Sequence, residues 1–281
     1  MVEKDFARIA RDMNVLAGFE GVRDVPALTP EALRLAINSP QVDVLTLFGG
    51  APLAGADVLA DAMRAGVARS YAIVGGAGHT TPAFRARTRE LCCEVAFADD
   101  ASEAEVFEAY LEAKHGLSAD LLECESTNCG ANVVNLRALL AKRGVACESM
   151  AFIHDVSMQR RMSAQIEKEM PGVRRVNYAA YQVRVVPIGA GAEAVAADPL
   201  AGLAFDGEPL GMWDMAHYLT LLMGEVRRLT DDEFGYGPAG AGFIAHVDVP
   251  AEVTAAWKRL LEDFPGSVRV ANPAFASRPS A

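Results

Sequence analysis

Four stretches of the chain carry glycines, or hydroxyl, amide and charged side chains, of the kind that could meet a ligand. They are Gly49-Gly50; Gly75-Gly76-Ala77-Gly78-His79-Thr80-Thr81; Glu123-Cys124-Glu125-Ser126-Thr127-Asn128-Cys129-Gly130-Ala131-Asn132; and His154-Asp155 followed by Met158-Gln159-Arg160-Arg161. Glycine lets a ligand approach the backbone closely, and a helix N-terminus offers free N–H groups and partial positive charge to an anion. An arginine fork grips a phosphate or carboxylate with two parallel N–H bonds, so one of Arg160 and Arg161 is expected in a cleft and the other on a solvated helix face. Neither glycine cluster has the GxGxxG spacing or the Walker spacing with its lysine, which disfavours a standard dinucleotide or P-loop site. Gly49-Gly50 serves equally well as a tight turn. The second cluster adds His79, Thr80 and Thr81, more polar side chains than a turn requires.

In the third stretch, Ser126 or Thr127 serves to cap a helix, but capping uses one hydroxyl and leaves Glu123, Glu125, Asn128 and Asn132 to be explained as a site. Cys129, near a helix N-terminus where a thiolate is favoured, is the cysteine to test for reactivity, although inert packing is the ordinary role of such a residue. A metal held by His79, Glu123 and Asp155 would lack any HExxH or paired His/Cys spacing, so no metal is expected.

These stretches need elements to position them. Val44–Phe48, Tyr71–Val74, Leu121–Cys124 and Met150–Ile153 are short apolar runs that each end at one of the polar or glycine-rich turns, and a helical pattern follows each turn. The helices are read over about 53–65, 82–91, up to Arg143, and from 158 towards Pro171-Gly172. A further strand is expected near Glu94–Phe97, leading into a helix from Ser102 whose side chain and Glu105 have capping-box spacing. Val173–Val186 reads as another strand. Strands alternating with helices at this spacing specify a doubly wound parallel sheet. Ligands of such sheets bind outside the carboxyl ends of the strands, where the strand order reverses. Helices over 3–13, 30–38, 212–229 and 250–264 then form a smaller helical domain, with residues 41–189 as the α/β domain and 1–40 with 190–281 as the annex. The tail 272–281 is expected to fray. His115 fits a C-terminal cap, and His217 is read as packed or solvated on its helix.

About half of the 281 residues are apolar and 22% are charged, which fits a globular chain with a full core. A net charge of −11 argues against nucleic acid or an acidic membrane surface and leaves a small-molecule ligand as the expected partner. Met1–Phe6 carries charges where a secretory signal needs an apolar run, and no apolar stretch reaches the roughly 18 residues of a membrane span. The expectation is a cytoplasmic chain with no membrane insertion. Five cysteines without a CxxC pair fit reduced thiols.

At Gly75-Gly76-Ala77-Gly78-His79-Thr80, Glu103-Ala104, Ser126-Thr127-Asn128-Cys129-Gly130 with Asn132, and Met158-Gln159-Arg160-Arg161, the sequence resembles the YdcF-like branch of a bacterial family of unknown function that also contains the envelope-linked SanA and ElyC. The likeness continues through Tyr218-Leu219 to Gly224-Glu225, Gly235-Tyr236-Gly237-Pro238, and Phe243-Ile244 to Val253. It implies a Rossmann-like α/β domain with a small helical domain and a cleft for a nucleotide-type ligand, S-adenosylmethionine being the named candidate. Departures from the wider family are Glu123-Cys124 and Ala131-Asn132, where it carries two further carboxylates, and Met158, where anchored relatives often carry histidine. The expected function is binding of a nucleotide-type or anionic small molecule, with Glu103 or Glu123 as acid/base or ribose-hydroxyl ligand and an arginine as anion clamp. The alternatives are a non-catalytic sensor of such a ligand and a factor linked to envelope biogenesis.

Overall fold

Alternate residues of the central strand face opposite ways, and both faces are apolar. Leu45 and Leu47 join one hydrophobic cluster, while Val44 and Phe48 join another. A strand buried on both sides needs a layer of helices on each face, and the chain supplies them. The computed structural model describes residues 4–78 and 80–268. The elements in order are α1 (Phe6–Glu20), α2 (Pro30–Ile37), β1 (Val42–Phe48), α3 (Ala54–Ala65), β2 (Ala68–Val74), α4 (Thr81–Leu91), α5 (Glu103–His115), β3 (Leu121–Glu123), α6 (Cys129–Arg143), β4 (Ser149–His154), α7 (Gln159–Glu169), β5 (Arg174–Ala179), β6 (Val185–Pro187), α8 (Ala192–Ala197), β7 (Leu203–Phe205), α9 (Met215–Leu229) and α10 (Ala251–Asp263).

The main sheet has the order β3-β2-β1-β4-β5, with every neighbour pair parallel. This is the Rossmann-like doubly wound arrangement. The chain steps outward from β1 to β3, then crosses to β4 and steps the other way, so the order reverses between β1 and β4. Register pairs Phe48 with Val74, Val74 with Glu123, and Leu47 with Ile153, so these four strands end at about the same level. Residues of α3, α5, α1, α9 and α10 cover one face, and Val133, Leu136, Leu140, Met162 and Ile166 of α6 and α7 cover the other.

Local chemistry accounts for the helix ends. Thr29 caps α2 with Pro30 in its first turn, Ser102 and Glu105 form the expected capping box of α5, and Asn128 caps α6 through Ala131 N–H. Gly66, Gly116 and Gly144 end α3, α5 and α6 in the left-handed region. His115 closes α5 and places its Nε2 2.8 Å from Asp57.

Three expectations change. Residues 94–97 form no strand, because the chain stays on one face between α4 and α5 and buries Val95 beneath them instead of returning to the sheet. The segment 173–186 is divided: β5 completes the main sheet, and β6 leaves it to pair antiparallel with β7. The β6–β7 pair crosses the boundary drawn at 189, and α1, α9 and α10 share one continuous core with the sheet. Polar contacts add to that junction, since buried Asp12 of α1 accepts from Arg259 of α10 through both oxygens, at 2.9 and 2.6 Å. The expected 3–13 helix runs on through Gly18 to Glu20. Residues 272–281 lie outside the described residues. No helix among the described residues is long and apolar enough to cross a membrane.

Glu20 ends α1 with both carboxylate oxygens buried and without a hydrogen-bond partner among the described residues. Burial first, then Glu225 and Asp155, push its carboxyl well above the ordinary value of 4.5. The folded chain therefore holds a proton that the unfolded chain releases above that value, and stability falls as pH rises, by up to about 1.4 kcal/mol per pH unit. Glu20→Gln removes this dependence. In urea unfolding at pH 5 and pH 8, the parent should lose stability relative to the variant as the pH rises. An unchanged difference would show that Glu20 is not protonated in the fold.

Candidate functional site

The turns that follow β1, β2 and β3 lock together through backbone contacts that only glycine allows. A Cβ on Gly49 would lie 3.1 Å from the Cα of Gly75 and 2.4 Å from Glu103 Oε2. Gly75 N–H donates to Glu123 O at 2.9 Å, and Gly76 N–H donates to Ser126 Oγ at 2.9 Å. A Cβ on Gly76 would fall 2.0 Å from Ser126 O and 2.8 Å from Cys124 O. Gly76 is thus a packing residue whose space is filled by the neighbouring turn, which corrects its reading as an opening for a ligand. Gly78 is looser, with Thr127 O 3.3 Å from a Cβ, and Gly50 adopts φ +80°.

Glu103, the first residue of α5, projects its carboxyl over this junction. Thr81 Oγ1 donates to its Oε1 at 2.9 Å, and the nearby Gly50 N–H and Thr80 favour its ionised form. Burial pushes the Glu103 carboxyl up, and these donors only partly oppose that shift. The side chain also lines a cavity of about 550 Å³. The cavity is bounded by residues 50–53, Thr80 and one side of α4 including Phe84, Arg87 and Glu90, and a segment carrying Met212, Trp213, Asp214 and His217. Its lining holds three carboxyl side chains, Glu90, Glu103 and Asp214, and one guanidinium, Arg87, which is already paired to Glu90 at 2.8 Å. Ala51, Pro52, Leu53, Phe84, Met212 and Trp213 make the remainder largely apolar.

The expected residues divide between this cavity and its supports. Gly50, Thr80 and Glu103 line it. Gly49, Gly75, Gly76 and Ser126 hold the turns behind it. Glu123 ends β3 and accepts from Glu125 N, Ser126 N and Asn135 Nδ2 at 2.8, 3.0 and 2.9 Å, so this carboxylate folds its own turn. Asn128 caps α6, its Nδ2 lies 3.4 Å from Thr127 Oγ1, and Asn132 is buried one turn on. His79 lies outside the described residues. No group of three or more His, Cys, Asp or Glu side chains among the described residues is placed to hold a metal ion.

The two arginines are placed differently from a clamp and a solvated partner. Arg160 turns to α1, where its Nε donates to Phe19 O and its guanidinium lies 4.3 Å from the Phe19 ring centroid. Arg161 is buried, and its fork takes both oxygens of Glu225 on α9, with Nη2 also 3.5 Å from Cys129 Sγ. Burial pushes the Glu225 carboxyl up, but Arg161 and Arg228 outweigh it and hold it below the ordinary range. With its charge matched inside the protein, Arg161 joins α7 to α9 and is not a free anion clamp. Asp155 is fully buried, and all its contacts come from the chain: Ser157 N and Oγ on Oδ1, Tyr181 Oη and Trp213 Nε1 on Oδ2. It too supports the site from behind.

The cavity residues missed in the sequence lie beyond the turns themselves, along a helix or before one with no strand ahead of it. Phe84 and Arg87 lie along α4, and Trp213 and His217 sit before and within α9, about 130 residues away in sequence. A short acidic N-cap, Asp214, whose Oδ1 accepts His217 N–H at 2.8 Å, was the one local signal beside them. His154 was also passed over. Its Nδ1 accepts Asp155 N–H at 2.8 Å, its Nε2 is buried without a partner among the described residues, and burial followed by Arg161 pushes the ring down to about 3.

The fold and the site define a Rossmann-like α/β protein with an acidic, aromatic-walled cavity at the carboxyl ends of β1 and β2. No protein-family model matches the chain.

Gly76→Ala should cost about 3 kcal/mol or more in urea unfolding because backbone, not a flexible side chain, occupies the new atom's position. Gly18→Ala, in a helix position with nothing within 4 Å, should instead stabilise by about 0.5–1 kcal/mol. Equal effects would contradict the turn-locking role. Arg161→Met should cost about 3–5 kcal/mol by leaving Glu225 buried with a lost partner, also read by urea unfolding.

Proposed function

We propose that the chain binds a nucleoside-type small molecule carrying positive charge or hydroxyl donors, with S-adenosylmethionine the candidate, in the cavity lined by Glu103. The observation that carries this reading is the charge of the lining. With Arg87 and Glu90 paired to each other, Glu103 and Asp214 leave the lining net acidic, so a phosphate would meet repulsion there, whereas a sulfonium or a ribose diol would meet acceptors. Phe84 and Trp213 offer flat apolar surface for a purine-type ring, and aromatic faces attract a nearby cation. The resemblance to the YdcF-like family points to the same ligand class. This reading replaces the anion held by arginines with a ligand recognised by a carboxylate.

Glu103 is the residue positioned to act on such a ligand. As a carboxylate it accepts hydroxyl or ammonium hydrogen bonds. With its proton affinity raised by burial, it is also placed to take up or return a proton.

Calorimetric titration with S-adenosylmethionine, S-adenosylhomocysteine and ATP tests the proposal. The adenosyl sulfur compounds should bind, and ATP should bind at least tenfold more weakly. Glu103→Gln should lose roughly 1.5–3 kcal/mol of the S-adenosylmethionine affinity, the value of a hydrogen bond to a charged group. Because the cationic ligand favours the ionised carboxyl, affinity should rise between pH 5 and pH 8 in the parent and stay flat in the variant. Binding of ATP without the sulfur compounds would overturn the reading in favour of an anion site.

A further inference from the structure

The wall of the cavity opposite α4 belongs to the segment 210–214, which contributes no strand or helix of its own. Two contacts pin it across the start of α3. Leu210 O accepts Ala54 N–H at 3.0 Å, and Gly211, at φ +80°, sits where a Cβ would be 3.1 Å from Leu53 N. A third contact reaches the switch point of the sheet: Trp213 Nε1 donates to Asp155 Oδ2 at 2.8 Å. That carboxylate is completely buried just past the end of β4, and Tyr181 and Ser157 fill its other acceptor positions. An indole has only two side-chain torsions, so one short bond to an acceptor held in place by three other donors restrains its ring.

We propose that Asp155 is a positioning residue for Trp213, and that Trp213 held in this way is the specificity-determining wall that admits a flat purine-type ring beside Phe84. The inference rests on the nucleoside reading of the cavity for its ligand, but not for its mechanics. It explains why a carboxylate at the carboxyl end of β4 is wholly occupied by donors from its own chain. The acidic group acts on the ligand through the indole it orients. It also links the three layers of the site, since β4, the loop after β5 and the segment before α9 meet at one side chain.

Trp257 is the second of two tryptophans, so Trp257→Phe makes Trp213 the sole indole reporter. In this background, Asp155→Ala should shift the Trp213 emission to longer wavelength and raise its acrylamide quenching constant at least twofold. Asp155→Asn, which keeps an acceptor for the indole, should stay within about 1.5-fold of the parent. In the otherwise native chain, Trp213→Phe keeps a ring but loses the N–H. It should weaken S-adenosylhomocysteine binding at least fivefold in calorimetry while leaving the melting temperature within about 3 °C. If Trp213→Phe binds like the parent, or if Asp155→Ala leaves quenching unchanged, the positioning role is overturned while the nucleoside reading stands. If the parent binds no adenosyl compound yet Asp155→Ala frees the indole, the nucleoside reading fails and the positioning role holds.

Discussion

A carboxyl group taken out of water beside the ends of two strands is the constraint around which this site is organised. Glu103 is 8% exposed, and its burial would be costly without donors. The structure supplies Gly50 N–H and the hydroxyls of Thr80 and Thr81. For those donors to converge, the turns after β1 and β2 must approach until Gly49 and Gly75 nearly touch, which excludes a side chain at either position. The same closeness draws in the third turn through Gly76 and Ser126. The glycine pattern and the acidic residue are thus two sides of one requirement.

Positive charge is distributed by the same logic. A chain with 26 basic and 37 acidic residues has few cations to spare, and the two arginines nearest the switch point are held within the fold. Arg161 is too deeply buried to remain without a counter-charge, and Glu225 of α9 provides one in bidentate form. Arg160 instead lays its guanidinium on Phe19 and donates to the backbone of α1. Together they bind α7 to the helices at both ends of the chain and leave the cavity with a net acidic lining. The electrostatic character of the cavity therefore follows from what the helical layer needs for its own stability.

Asp155 shows the same economy at the other strand. Four donors converge on a carboxylate with no exposure, and one of them is an indole of the cavity wall. A residue that looks in sequence like a ligand contact becomes, in three dimensions, the point from which a wall is aimed.

Much of this was legible in the sequence because it depends on neighbours along the chain. Apolar runs ending in glycine, a capping box at Ser102 and Glu105, and left-handed glycines after α3, α5 and α6 are local effects. They determined the parallel doubly wound sheet and the four turns that gather at one end of it. The absent strand at 94–97 and the divided segment 173–186 show the limit of that reading, since apolar content alone does not say whether a run pairs with the sheet or packs beneath a helix. Partner choice was decided only by the tertiary structure. Nothing local to Arg161 names Glu225, and nothing near Asp155 names Trp213. Each of these pairings joins groups far apart in sequence, and its strength comes from mutual removal from water, a condition that exists only once the sheet and its helical layers have closed around them.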